Sequence, residues 1–207
     1  MGIKTMARRE QPSTKKRPKR IAAAPAPISA IPIPPPRPKP AELEIVFWPT
    51  PVLTRRAKPV EEIDDWLRQV SGRMVELMEQ HKGVGLAGPQ VGLPLRLFVM
   101  AETGKAADAR VIINPVLDQQ EGFEEAEEGC LSLPEIRGKI TRYVKLRIQG
   151  LDITGQPVAL NLEGFPARIA QHETDHLDGV LIIDRMPPLT RLAHRKELKA
   201  LENAAAK

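Results

Sequence analysis

Apolar residues between positions 63 and 78 recur every three or four residues, the spacing that places them on one face of an α-helix. Acidic residues crowd the first turn of this segment, where negative charge suits the positive end of a helix dipole. Gly83 supplies a stop. The pattern predicts an amphipathic helix that packs on a core. Its apolar members are Ile63, Trp66, Leu67, Val70, Met74, Leu77 and Met78.

Four shorter segments predict β-strands. Residues 95–100 and 110–113 are short apolar runs, which is typical of buried strands. Residues 143–148 and 158–162 alternate between apolar and polar positions, and the segment 152–157 between them contains a glycine. This last pair predicts an antiparallel hairpin.

Two further segments predict helices near the end of the chain. Residues 166–177 have helical character and are closed by Gly179, and residues 189–203 form a last helix rich in Lys and Arg. The order of helix, strands and helix, with hairpins between them, favours an α+β fold with antiparallel sheets.

The charge of the chain is unevenly distributed. The formal net charge is +5, but residues 1–40 hold ten basic residues, one acidic residue and ten of the 21 prolines. Such a segment cannot bury enough apolar surface to offset the entropy of ordering it. We therefore expect a disordered Pro/Lys/Arg-rich extension over residues 1–40 and a catalytic domain over residues 41–207. The basic run suits an electrostatic contact with nucleic acid, and a solubilising tail is the alternative.

Several classes of protein are excluded by composition. No apolar run approaches the roughly 18–20 residues needed to span a bilayer, so we expect no membrane association through a helix. A single cysteine cannot form an internal disulfide framework, and no apolar segment typical of a secretory signal follows the basic N-terminus. A reducing, cytosol-like compartment is expected.

The segment His172-Glu173-Thr174-Asp175-His176 is the strongest local signal for chemistry. Residues four apart on a helix lie on the same side, so His172 and His176 can bind one metal ion. A bound divalent metal lowers the pKa of a water molecule, and Glu173 would exchange protons beside it. The alternative is a solvated helix with two ordinary histidines.

A catalytic metal site of this kind needs a third protein ligand. Downstream candidates are His194, Glu197 and Glu202, all in the basic last helix. Upstream, Cys130 is the only cysteine. A single cysteine is more often a small buried apolar residue, but beside a two-histidine helix a thiolate ligand is the better interpretation.

Residues 83–90 read GVGLAGPQ, with three glycines in six positions. Glycines of this kind let the backbone run close to a ligand. The segment is not a phosphate-binding loop, because no Lys-Ser/Thr pair follows. Taken alone, it is equally typical of a simple turn.

Together, these segments resemble the peptide deformylase family. GVGLAGPQ (83–90), EGCLS (128–132) and QHETDHLDG (171–179) match that family's GxGxAAPQ, EGCxS and QHExDHLxG segments, in the same order. The resemblance covers about residues 44 to 190. Gly88 stands where the family usually has alanine, and the N-terminal extension lies outside the family pattern.

The resemblance implies removal of the formyl group from the N-terminal methionine of new polypeptides, with release of formate. It implies that antiparallel sheets pack around a central HExxH helix, with further helices at the two ends of the domain. Cys130, His172 and His176 would hold the metal, and Glu173 would be the general acid and base. The metal would be Fe(II), although Zn or Ni can occupy such a site.

Further roles follow from the resemblance. Gln90 and the backbone N–H of Leu131 would stabilise the oxyanion, and the backbone at Gly85 would pair with an extended N-formylmethionyl peptide. Glu128 and Arg137 match positions near the pocket, where either a salt bridge or a solvated pair is expected. The residues expected to form an apolar methionine pocket are Val84, Phe165 and Ile169.

Two other functions share some of these features. An HExxH metallopeptidase would use the same helix with a different third ligand. A deformylase-like adaptor would bind nucleic acid or the ribosome through the basic extension and would not need Glu173. For the deformylase itself we expect a bacterial-type cytoplasm rather than an organelle. The extension would serve either as a ribosome contact or as a solubilising tail.

Overall fold

The structure is a computed structural model that describes residues 37–205. Its five strands form one antiparallel sheet in which each strand pairs with the next along the chain. The first and last strands are therefore the two edges of the sheet. The strands are β1 (Gly85–Ala87), β2 (Leu97–Met100), β3 (Arg110–Cys130), β4 (Leu133–Leu151) and β5 (Pro157–Glu163).

Five α-helices accompany the sheet, together with short 3₁₀ turns. The α-helices are α1 (Asp65–Gln80), α2 (Phe165–Leu177), α3 (Ile182–Arg185), α4 (Pro188–Ala193) and α5 (Arg195–Ala205). The 3₁₀ turns are Pro40–Glu42, Pro51–Thr54, Gly88–Val91 and Ala106–Asp108. The expected combination of an antiparallel sheet with helices is confirmed, although the structure has one continuous sheet where several were expected.

The first predicted helix is present as α1, with its start set by a capping residue. The Asp64 side chain accepts a hydrogen bond from the backbone N–H of Leu67 at 2.9 Å, which satisfies one of the free donors of the first turn. The helix ends at Gln80, three residues before the expected stop.

Strands β3 and β4 are much longer than the sequence pattern indicated. Only residues 110–113 and 143–148 of this pair were predicted as strands. Most of residues 118–127 in β3 are polar or exposed, so they show no apolar alternation. Pairing with β4 nevertheless continues through this region, with register shifts after Ile113 and Asp118. Such β-bulges bend a strand and interrupt its side-chain alternation.

The predicted single helix over residues 189–203 is two helices. The helical conformation is interrupted at His194, between α4 and α5. The His194 imidazole donates a hydrogen bond to the carbonyl of Arg137 on β4 at 2.8 Å. This contact fixes the end of the chain against the sheet. It also occupies the one downstream histidine that was considered as a metal ligand.

Three apolar clusters form the core. The first joins α1 to β1 and β2, the second lies beneath α2 against β2, β4 and β5, and the third packs α3 against β3 and β4. Helix α2 therefore shares apolar contacts with most of the sheet. This packing places the two predicted histidines on a well-supported element.

Gly88 lies where two segments of backbone approach closely. A Cβ atom at this position would lie 2.7 Å from the carbonyl oxygen of Leu95 and 3.1 Å from that of Leu93. Both are backbone atoms, which move less readily than a side chain. A glycine at position 88 therefore lets residues 93–95 pack more closely than the family's usual alanine would allow.

The described part of the N-terminal extension lies on α1. The Arg37 guanidinium stacks 4.7 Å from the ring centroid of Trp66 and forms an ion pair with Asp64. The Trp66 indole N–H donates to the carbonyl of Pro38 at 2.8 Å. Of the extension predicted to be disordered over residues 1–40, residues 1–36 lie outside the described residues.

Within residues 37–205, none of the helices has the length and apolar character required to cross a membrane.

Candidate active site

Helix α2 has clear start and stop signals in the sequence. Gly164, with φ of 67°, precedes the helix, and Pro166 occupies its first turn, where a missing N–H costs nothing. Gly179, with φ of 74°, lies just beyond the end of the helix at Leu177. These residues fix where α2 begins and ends, and so which of its side chains meet the sheet.

Two rows of side chains interlock between α2 and β3. Arg168, His172 and His176 are four residues apart and form one row along the helix. Glu128 and Cys130 are two residues apart on β3 and share a face of the strand. Four helical residues rise about 6 Å and two strand residues about 6.7 Å, so the rows can interdigitate. Glu128 lies between Arg168 and His172, and Cys130 lies beside His176.

Cys130, His172 and His176 bring three donor atoms together. The His176 Nε2 atom lies 3.4 Å from Cys130 Sγ and 3.2 Å from His172 Nε2, and all three donors lie within 4.8 Å of one another. Around a tetrahedral divalent metal, bond lengths of about 2.0–2.1 Å to nitrogen and about 2.3 Å to sulfur separate such donors by about 3.3–3.6 Å. The spacing and chemistry of this set therefore fit a metal ion.

The His176 ring is suited to donate a lone pair. Burial lowers the pKa of His176 well below its usual range, and the neighbouring His172 lowers it further. The imidazole is therefore neutral at physiological pH. Among the residues described, its Nδ1 atom has no hydrogen-bond partner.

Glu128 orients His172. Its Oε2 atom lies 2.9 Å from His172 Nδ1, so that nitrogen carries a proton and Nε2 is the atom that faces the other donors. Burial alone would lower the pKa of His172, but hydrogen bonds with Cys130 and Glu128 raise it to about 10, so a metal would bind Nε2 in place of a proton. Burial alone would raise the pKa of Glu128, but hydrogen bonds from His172 and Arg142 hold it well below its usual range. The carboxylate is thus ionised, and the Arg142 guanidinium binds both of its oxygens at 2.9 Å.

The expectation that Glu128 pairs with Arg137, in a salt bridge or as a solvated pair, is wrong. In the described part of the chain Glu128 pairs with Arg142 and Arg168. Arg137 lies opposite Gly129 in the β3–β4 register and is exposed, because alternate residues of a strand point to opposite faces.

Glu173, which follows His172 on α2, is buried against strand β1. A Cβ atom on Gly85 would lie only 2.7 Å from Cδ and 2.8 Å from Cγ of Glu173, so the carboxylate occupies the space that a side chain would need. Burial raises the pKa of Glu173 to about 7. Its Oε2 atom has no hydrogen-bond partner among residues 37–205. A buried carboxyl group with this pKa can both take and give a proton near neutrality.

Gln90 is held with its amide N–H₂ group directed at the donor cluster. Its Oε1 atom accepts a hydrogen bond from the backbone N–H of Ala87 at 2.8 Å. Its Nε2 atom donates to Cys130 Sγ at 3.6 Å and to Ser132 Oγ at 3.4 Å. Leu131 follows Cys130 in the two-residue loop between β3 and β4. Both predicted oxyanion donors therefore lie next to the Cys130 sulfur.

The structure separates the three residues expected to line a methionine pocket. Val84 and Ile169 share the apolar cluster beneath α2. Phe165, the first residue of α2, is 51% exposed.

Sequence reasoning missed Arg142 and Arg168, although a signal for the first was present. Along β4, the even-numbered positions from Ile136 to Ile148 are mostly apolar in the sequence and mostly buried in the structure. Arg142 falls in that series. A buried arginine requires a carboxylate partner, which Glu128 provides. Arg168 lies one helical turn before His172, a position that the sequence assigns no charged partner.

The geometry agrees with comparisons to known proteins. Residues 42–192 match the model of the family described as polypeptide deformylase. The chain is 47% identical over 156 residues to a peptide deformylase of Thermotoga neapolitana, a match that covers 75% of this chain and 93% of that relative. It is 41% identical over 146 residues to one from Rhodopirellula baltica, which covers 70% of this chain and 73% of that relative.

Solved structures give the same result. The crystal structure of peptide deformylase from Thermus thermophilus is similar with a TM-score of 0.73 at 41% identity, covering 78% of this chain and 98% of that chain. A plant peptide deformylase structure is similar with a TM-score of 0.76 at 36% identity, and the match covers 79% of this chain and 91% of that chain.

The contact between Gly85 and Glu173 generates a stability prediction. Gly85→Ala should destabilise the protein by about 1–3 kcal/mol, as overpacking a rigid site does. Combining it with Glu173→Ala should relieve most of this loss, because the atoms that crowd the new Cβ are then absent. Free energies of unfolding of the two single variants and the double variant measure the coupling.

Gly72→Ala is the matched control, since a Cβ there has no neighbour within 4 Å in the interior of α1. It should stabilise the helix by about 0.5–1 kcal/mol. Strictly additive effects of Gly85→Ala and Glu173→Ala would contradict the contact.

Proposed function

The chain belongs to the polypeptide deformylase family, and from this membership we propose which of its residues carry out each part of the reaction. The protein is a metal-dependent hydrolase that removes the formyl group from the N-terminal methionine of newly synthesised polypeptides. Formate is the second product.

We propose that Cys130, His172 and His176 hold the metal, which makes α2 the metal-binding helix around which the domain is organised. The mutual spacing of their donor atoms supports this assignment. We propose Fe(II) as the native metal. Imidazole and thiolate ligands also suit zinc and nickel, so these ions should occupy the site when supplied.

When bound, the metal lowers the pKa of a water molecule and polarises the formyl oxygen. Glu173 would accept a proton from the attacking water and deliver it to the departing amine. The observation that carries this proposal is the buried Glu173 carboxyl group, which follows His172 on α2 and has a pKa of about 7. A group with that pKa is available in both protonation states at neutral pH, as a proton carrier must be.

Gln90 and Leu131 stabilise the negative charge that develops on the formyl oxygen. The Gln90 amide is held in place by Ala87, so its Nε2–H₂ group needs no reorganisation during the reaction. The backbone N–H of Leu131 is fixed by the tight loop that follows Cys130. Pre-aimed donors of this kind lower the barrier of acyl transfer more than mobile ones do.

The peptide substrate binds along β1. Among residues 37–205 this strand is the first of the sheet and pairs only with β2, so its other edge can accept an added strand. The backbone at Gly85 then places the formyl end of the peptide near Glu173. Val84 and Ile169, which share the apolar cluster beneath α2, are the proposed contacts of the methionine side chain.

We also propose that the enzyme works in a bacterial cytoplasm and that its basic extension contacts ribosomal RNA. The support is the ten basic residues within positions 1–40 and a substrate that emerges from the ribosome. Contacts of this kind weaken steeply with salt, because counterions are released from phosphate.

Co-sedimentation with ribosomes at low salt should be lost on removal of residues 1–36. Equal co-sedimentation of the full-length and the truncated protein would refute the contact.

The proposed roles separate metal binding from proton transfer. Glu173→Gln should retain metal, because all three ligands remain, while formate release from a formyl-methionyl tripeptide should fall by about 10²–10⁴-fold. Cys130→Ala should instead lower metal content. Activity is measured on Fe(II)-loaded protein, with metal content determined on the same samples.

Glu202→Gln, at an exposed position of helix α5, is the control and should change neither quantity. Full metal content and full activity in Cys130→Ala would show that the third ligand is misassigned. A wild-type protein loaded with Fe(II) that releases no formate would refute the proposed mechanism as a whole.

A further inference from the structure

Arg168 is a buried arginine with contacts on three sides. Its Nη1 atom donates to Glu128 Oε1 at 2.8 Å and to the carbonyl of Ile140 at 2.9 Å. Its Nη2 atom donates to the carbonyl of Glu124 at 2.8 Å. The side chain is 9% exposed. One guanidinium thus joins α2 to both long strands of the sheet.

The same helix holds both oxygens of the Glu128 carboxylate. Arg168 binds Oε1, and one turn later His172 binds Oε2 through its Nδ1 atom at 2.9 Å. Arg142, from β4, binds both oxygens from another side. With Arg168 in place, Glu128 cannot turn about its pairing with Arg142 without breaking a second charged hydrogen bond.

We propose that Arg168 is a positioning residue that acts through Glu128 to fix the orientation of His172 and so to strengthen metal binding. The inference rests on the proposed role of His172 as a metal ligand. Arg168 itself reaches no donor atom of the metal site, so its effect must pass through the carboxylate. It extends the interlocked rows of α2 and β3 by one further step beyond the metal ligands.

The geometry also predicts what losing Arg168 would leave behind. Glu128 would keep its two hydrogen bonds from Arg142, and the three donor atoms would remain on the same elements. The fold would therefore retain the ligands but lose part of their alignment. Residues that orient metal-bound histidines in this way typically contribute about 10–100-fold to metal affinity.

The test measures zinc affinity by competition with a chelator. Arg168→Met, which keeps a long side chain without the charge, should weaken zinc binding by about 10–100-fold relative to the wild-type protein. Arg147→Met is the matched control: Arg147 lies on β4 and binds both oxygens of Asp118 at 2.9 Å, and Asp118 lies twelve residues before Cys130 on β3. This control should bind zinc as the wild type does.

A double-variant cycle shows whether the effect passes through Glu128. In a Glu128→Gln background, Arg168→Met should add little to the loss of zinc affinity, because the group through which it acts is already altered. Additive losses would overturn the proposal. So would an Arg168→Met protein that binds zinc as tightly as Arg147→Met.

The zinc measurements distinguish a wrong ligand assignment from a wrong positioning role. If the wild-type protein fails to bind zinc through Cys130 and the histidines, the ligand assignment fails; if only the Arg168 variants bind normally, the positioning role alone fails. If Arg168→Met does not fold, the zinc affinity of Arg168→Lys tests the positioning role instead. An ammonium group cannot reproduce the planar fork that reaches three acceptors, so zinc affinity should still fall, and unchanged affinity would overturn the proposal.

Discussion

The register between α2 and β3 is the constraint on which the candidate site depends. Side chains four apart on the helix meet side chains two apart on the strand, and the two repeats differ by less than about 1 Å per step. A shift of one residue on β3 would turn Glu128 and Cys130 to the opposite face of the sheet. The ion pairs, the donor cluster and the position of Glu173 would then all be lost together.

This arrangement concentrates charge in a buried region, where it is stable only when complete. Glu128 is balanced by Arg142 and Arg168, and Arg142 also pairs with Asp175 on α2. Breaking one partner of such a network leaves an uncompensated buried charge, which costs far more than the pair contributes. The network therefore holds the helix at one position against the strand, and a metal site assembled between them is fixed in the same step.

The sequence predicted the elements that have a clear apolar period. The spacing of His172 and His176 predicted two of the donors, and Cys130 was added as the only cysteine and through the family resemblance. Helix α1, the β4–β5 hairpin and α2 were recognised because their apolar residues repeat or alternate. Most of β3 was missed because its exposed, polar residues pair without alternation, and the break at His194 depends on a contact with Arg137 that lies 57 positions away. Glu128 was matched to Arg137 rather than Arg142, because choosing between them requires knowing which face of β4 meets the helix.

The most direct test of the assembled site is X-ray absorption spectroscopy of the metal-loaded protein. The account predicts one sulfur ligand at about 2.3 Å and two imidazole nitrogens at about 2.0–2.1 Å. The remaining coordination should come from light atoms of the solvent. A first shell of nitrogen and oxygen alone, without sulfur, would contradict the meeting of α2 with Cys130 on which the account rests.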